Sequence, residues 1–237
     1  MAEVVKHTYG TINVETAGRW FTLAPEDDGP IWMINLMKYK PTAAYDATAD
    51  VPEATRDITG KAADDAYNPV PVLDRLGAVV AFHGDVLSQT DGTPVWDRIG
   101  IVRYPTRMSF LTMEQREDFK EIHVHKKAGM DFTILVGGLP EFSNGDLAVE
   151  SDSYVMRVRR FTQGATQGAE HPGVTPVVVF RSDGTILGDE RVWDEVRFDL
   201  VTADAMEHLN DVDGVEEQFT MVVHRAIDNL VSSIATA

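Results

Sequence analysis

Val95-Trp96-Asp97-Arg98-Ile99 and Val192-Trp193-Asp194-Glu195-Val196 are two versions of one segment, 97 residues apart. The surrounding chain repeats with them. Val79-Val80-Ala81-Phe82 returns 98 residues later as Val177-Val178-Val179-Phe180, and His125-Lys126 returns 99 residues later as His224-Arg225. Three landmarks that keep their order and nearly their spacing mark two copies of a whole domain, because a solenoid would repeat every ~20–50 residues.

The elements around these landmarks give each copy a topology. Ile31–Tyr39 is apolar on both alternating faces, as a central strand is, and Pro41 stops it. Helices are predicted over Thr59–Tyr67 and Val70–Leu76, kept apart by Pro69 and Pro71. Ala78–His83 reads as a second strand, Gln89–Pro94 as a hairpin turn, and Val95–Tyr104 as a third strand. A helix from Arg107 to Ala128 follows, with Gly129 at its C-terminus, then a fourth strand over Asp131–Val136. Strand, helix, strand, strand, helix, strand is the ferredoxin-like order, so the fold class is α+β.

The second copy reads as degenerate. Tyr154–Phe161 is its first strand, but Thr162–Thr175 is too short and too rich in Gly and Gln for the long helical insertion of the first copy. Val177–Arg181, a turn at Ser182-Asp183-Gly184 and Arg191–Leu200 rebuild the hairpin. Apolar spacing predicts helices over Ala203–Asn210 and Glu217–Asn229, leaving little room for a last strand. The expected organisation is an N-terminal extension (1–30), a first ferredoxin-like domain (31–140) and a degenerate second one (153–237).

Composition narrows the function classes. The 237 residues are 43% hydrophobic and 25% charged, ordinary for globular domains, and carry a formal net charge of −17. Such acidity opposes binding to nucleic acid or an anionic membrane. No apolar run approaches the ~20 residues of a membrane span. The absence of cysteine excludes disulfides and thiolate chemistry, and a cytoplasmic location is the simplest expectation.

Asn35-Leu36-Met37-Lys38, Trp96-Asp97, Arg103-Tyr104-Pro105-Thr106-Arg107, Phe110, Met113 and Lys127-Ala128-Gly129-Met130 resemble the DUF1330 family of the dimeric α/β barrel superfamily. The similarity spans about residues 30–140, and the strand–Tyr-Pro–helix segment is its most specific part. It implies tandem ferredoxin-like repeats whose antiparallel sheets pack as an α/β barrel around a small-molecule pocket. Two sheets in one chain could shelter each other, or each copy could pair with its counterpart in a homodimer. The superfamily includes cofactor-independent monooxygenases, cyclases, isomerases and haem enzymes, so the fold does not select a reaction.

Several side chains are candidates for chemistry. His83, at the end of a strand beside Gly84, has an imidazole suited to acid–base work. Tyr104 offers a hydroxyl at the strand-to-helix turn, where Arg103 and Arg107 could hold an anionic group. Asn35 sits in an apolar strand on the same face as Met33, Met37 and Tyr39, so its amide bonds either neighbouring backbone or a ligand. The catalytic candidates are therefore His83 and Tyr104, and the substrate-binding candidates Asn35, Tyr39, Arg103 and Arg107. Trp96 and Asp97 read as structural because both copies have them. His123 and His125 point to opposite sides of a helix and cannot grip one metal ion; His123 shares a face with Phe119 and Ile122 and reads as packed.

The function expected from these residues is a cofactor-independent enzyme acting on a small organic molecule, carbonyl- or carboxylate-bearing, by acid–base chemistry. No cofactor and no metal are called for. The alternatives are a non-catalytic ligand-binding or assembly module and, ranked last, a haem enzyme of the chlorite dismutase kind with His208 or His224 as axial ligand.

Overall fold

In the computed structural model, which describes residues 6–113, 115–165, 168–210 and 212–237, the duplication predicted from Trp96 and Trp193 is a topological fact. Met1–Val5 of the extension and Thr166–Gln167 of the predicted Gly/Gln-rich stretch lie outside the described residues. The first copy contains β3 (Ile31–Tyr39), β4 (Val79–Asp91), β5 (Arg98–Tyr104) and β6 (Met130–Ser143), hydrogen-bonded in the order β4-β5-β3-β6. The second contains β7 (Ser153–Phe161), β8 (Val174–Gly188), β9 (Glu195–Val201) and β10 (Val215–His224), in the order β8-β9-β7-β10. Both are the ferredoxin-like order, and every pairing is antiparallel.

The two sheets are joined twice and symmetrically. The fourth strand of each copy pairs with the second strand of the other, β6 with β8 and β10 with β4. The eight strands therefore close into a barrel within one chain, which removes the free edges that two separate sheets would leave.

The repeated Trp-Asp pair explains itself at this point. Asp97 Oδ2 accepts a 2.7 Å hydrogen bond from the backbone N–H of Tyr39, the last residue of β3. Asp194 Oδ2 accepts one of the same length from Phe161, the last residue of β7. Each aspartate also donates its own N–H to the equivalent carbonyl, Met37 at 2.9 Å and Arg159 at 2.8 Å. The carboxylate thus terminates the first strand of its copy. The adjoining Trp96 and Trp193 enter the barrel and meet on Phe219, at ring separations of 5.5 and 4.9 Å.

The barrel centre is solid, which corrects the expectation of a pocket there. Trp32, Phe82, Phe180 and Phe198 join those three rings, all fully or almost fully buried. One end is plugged by α6 (Leu230–Ala235), where Trp32 Nε1 donates to Ser233 Oγ at 2.9 Å. Close-packed interiors leave little space for a guest.

Several local expectations are also corrected. Glu217–Asn229 is not a helix: most of it is β10, whose Phe219, Met221 and Val223 alternate inward with the two-residue period of a strand. Ala203–Asn210 holds only a short 3-10 helix, Ala205–His208. Gly137-Gly138-Leu139-Pro140, for all its turn-forming residues, lies inside β6; a Cβ on Gly137 would come within 2.7 Å of the Trp20 ring, so close packing rather than a turn requires the glycine. Ser182-Asp183-Gly184 lies inside β8, where Gly184 takes φ +117° at a register irregularity. The helix read over Arg107–Ala128 is two helices, α4 (Arg107–Met113) and α5 (Glu117–Gly129).

The extension belongs to the fold. β1 (Lys6–His7) pairs with β2 (Gly10–Ile12), and β2 adds to β8. α1 (Val14–Phe21), capped by the Asn13 side chain, brings Trp20 to complete burial against the first copy.

Candidate functional site

Strand alternation gives the first copy's sheet two faces. Trp32, Ile34 and Leu36 point into the barrel, while Ile31, Met33, Asn35, Met37 and Tyr39 point outward. Three helices cover the outer face: α2 (Gly60–Ala66), α3 (Val70–Arg75) and α5. Their coverage is incomplete, and a cavity of about 90 Å³ remains between helices and sheet.

Asn35, Val102 and Leu135 form the floor of this cavity; Phe119, His123 and Lys126 of α5 form one wall, and Phe110 and Met113 of α4 another. Tyr9, from the N-terminal extension, closes it and meets His123 Nε2 through its hydroxyl at 3.0 Å. The His123 ring is held among aromatics, with Phe119 at 4.7 Å and Tyr67 edge-on at 6.0 Å. The Lys126 ammonium lies 5.5 Å from the Tyr67 ring centre. Asn35 holds its amide by two long bonds, 3.4 Å each, donated to the carbonyls of Met33 and Gly100. The Tyr104 hydroxyl donates to Met113 Sδ at 3.4 Å.

The structure divides the residues singled out from sequence. Asn35 and Tyr104 line the cavity together. His83 does not: it pairs with Gly100 on the same outer face but lies toward an ionic network beneath α2. In that network the Tyr39 hydroxyl donates to Asp64 at 2.5 Å, and Arg98 binds Asp64, Asp65 and Asp85 at 3.1, 2.7 and 2.7 Å. Burial, then the Arg98 charge, holds His83 below the ordinary imidazole value. Burial and the neighbouring Asp64 carboxylate push the Tyr39 phenol far up, so it stays a donor. Arg103 pairs with Trp32 and so faces the barrel side, where it donates to the Thr236 carbonyl at 3.3 Å. Arg107 is buried and spent on structure, with Nε on Asp183 Oδ2 at 2.6 Å and its backbone N–H on Asp28. The expected Arg103–Tyr104–Arg107 cluster is therefore not assembled: successive strand residues point to opposite faces, and Arg107 ties the first copy to the second.

The residues that sequence reading passed over are His123 and Tyr9. The i, i+4 relation to Phe119 placed His123 on the packed side of its helix, and that is where it lies. Its hydrogen-bond partner is 114 residues away in the extension, and no local pattern announces such a pairing. His125 turns elsewhere, its Nδ1 2.9 Å from the Tyr45 hydroxyl. Among the described residues no three His, Asp or Glu side chains are grouped as metal ligands.

The corresponding outer face of the second copy has a different character. Arg157, Arg159, Arg197 and Asp199 are all buried there, and Glu170 from the segment between β7 and β8 closes over them. Asp199 binds Arg157 and Arg197 at 2.7 Å each. Burial would raise Glu170, but the Arg159 hydrogen bond and the charges of Arg157, Arg159 and Arg197 bring it down to about 2. A haem needs an apolar slot beside its axial ligand. This face offers packed ion pairs instead, and His208 is stacked on His171 at 5.2 Å. The ion-paired face and His208 do not fit the haem reading.

No family model matches the chain, and no curated protein matches it. Solved structures are similar to it. The methylated RPA0582 protein is 28% identical over 56% of this chain and 95% of its own, with a TM-score of 0.45. RPA0582 from Rhodopseudomonas palustris, a protein of unknown function, is 28% identical over 53% of this chain and 91% of its own, with a TM-score of 0.43. A mutant chlorite dismutase from Candidatus Nitrospira defluvii is 10% identical over 92% of this chain and 98% of its own, with a TM-score of 0.46. The fold assignment rests on the strand order and register above. Among the described residues, no helix is long and apolar enough to cross a membrane.

Proposed function

We propose that the first copy binds a small carbonyl compound in the cavity beneath α5 and catalyses proton transfer at the carbon beside the carbonyl. The observation that carries this reading is the 3.0 Å His123–Tyr9 contact inside a chamber walled mainly by apolar and aromatic groups, with Asn35, Lys126 and Thr133 also in its lining. Such a chamber with a few convergent polar groups is the usual form of a small-molecule site. Asn35, Tyr104, Phe110 and Met113, four of the residues that carry the resemblance to the DUF1330 family, all line it.

In this reading the Asn35 amide, whose present bonds are long, donates to the substrate's carbonyl oxygen, and Tyr104 adds a second donor. His123 takes the proton from the adjacent carbon, the C–H electron pair moves into the carbonyl to give an enolate, and Tyr9 orients the imidazole. Returning the proton to carbon completes an exchange or isomerisation with no change of oxidation state. The role first sought for His83 passes to His123.

Butanone in heavy water tests this directly. Wild-type protein is expected to exchange the protons beside the carbonyl for deuterium, and His123→Ala to lower that rate by about 10²–10⁴-fold while still binding the ketone. Exchange that persists in His123→Ala removes the mechanism. Binding without exchange in the wild type leaves the non-catalytic carrier.

A further inference from the structure

The inner cavity, at about 90 Å³, is smaller than the roughly 150 Å³ apolar cavity that suffices for benzene. It accommodates a carbonyl head and little more. A second chamber of about 400 Å³ adjoins it, and the two share Phe110, Leu135 and Leu187 as walls. Among the described residues, the rest of the second chamber is lined by Ile12, Ala17, Phe21, Leu111 and Ile186, with Gln115 the one polar side chain. β2 and α1 of the N-terminal extension supply Ile12, Ala17 and Phe21, so a segment outside the duplicated unit builds this wall. Phe110 stands at the junction, its ring edge-on to Tyr104 of the inner cavity at 5.4 Å and to Trp20 of α1 at 6.4 Å. Phe21, half exposed at 52%, is an apolar side chain left open to solvent in this lining.

We infer that the substrate is amphiphilic: a carbonyl head sits in the inner cavity and an unbranched apolar tail passes Phe110 into the outer chamber. This rests on the reading of the inner cavity given above and adds the class of molecule it takes. The tail assignment follows from the three walls that the two chambers share and from the scarcity of polar groups among the described residues of the outer one. Burying a methylene there strengthens binding by about fourfold.

Affinities for methyl ketones from butanone to dodecanone test it. Wild-type affinity is expected to climb by about fourfold per methylene and then level off when the outer chamber is full. Ala17→Trp, which fills that chamber, is expected to level the climb at a shorter chain. Leu111→Phe narrows the same chamber from the opposite side and should shorten the climb less. A climb unaltered in both variants, or no climb in the wild type although butanone binds, overturns the tail assignment alone. If no ketone in the series binds, the inner-cavity reading falls and this inference falls with it.

Discussion

The outer faces of the two copies occupy equivalent positions and differ in chemistry. Strand register matches Asn35 and Gly100 in the first copy with Arg157 and Arg197 in the second. It likewise matches Met37 and Arg98 with Arg159 and Glu195. In the first copy helices cover a face that is apolar apart from the Arg98–Asp64–Asp85 network at one end, and leave a cavity. In the second the long helical insertion is absent, a short segment crosses the sheet, and its Glu170 carboxylate completes a packed set of ion pairs. The scaffold tolerates either solution because the barrel interior, shared by both, supplies the common core. What the outer face can do is decided by what covers it.

The largest expected effect comes from breaking the ionic face. Asp199→Ala leaves Arg157 and Arg197 buried without their shared carboxylate and should cost about 3–5 kcal/mol in urea unfolding. A loss below about 1 kcal/mol would mean that this face is not closed as described. Acid should separate the copies next. Glu170 lies at about 2, below its ordinary 4.5, so its stabilisation is present in full above about pH 4.5 and is lost as the pH falls toward 2. Glu170→Gln should flatten the stability profile in that window by about 2–3 kcal/mol, and an unchanged profile would contradict the assigned contacts.

The duplicated strand-end aspartates predict equality instead. Asp97→Ala and Asp194→Ala each remove one carboxylate-to-backbone bond and should each cost about 1.5–3 kcal/mol by thermal unfolding. A marked asymmetry between them would break the equivalence of the copies. The smallest effect is expected at His83. Because it lies outside the cavity, His83→Ala should leave butanone exchange at the wild-type rate, and a large fall would return catalysis to the ionic end of the face.

Particular residues show how far the sequence could be read. Ile31–Tyr39 and the helix near Gly60–Ala66 were recoverable almost to the residue, because a strand buried on both faces and a Thr59-capped helix carry local signals. β10 was not: its apolar residues fit a helical spacing as well as an alternating one, and only its pairing with β4 and β7 selects the strand. Asn35 and Tyr104 could be singled out because one is a polar side chain in an apolar strand and the other sits at a Tyr-Pro turn. Arg107 looked equally available, yet its partner Asp183 comes from the other copy.

By itself the sequence determined the duplication, the ferredoxin-like order of the first copy and the structural role of the Trp-Asp pair, since periodicity and repetition are properties of the chain. Tertiary structure alone decided that the barrel centre is full, that the cavity lies under the helices, and that Tyr9 meets His123. Those facts depend on which distant side chains fill or miss a given volume. Packing across more than a hundred residues leaves no mark on local composition.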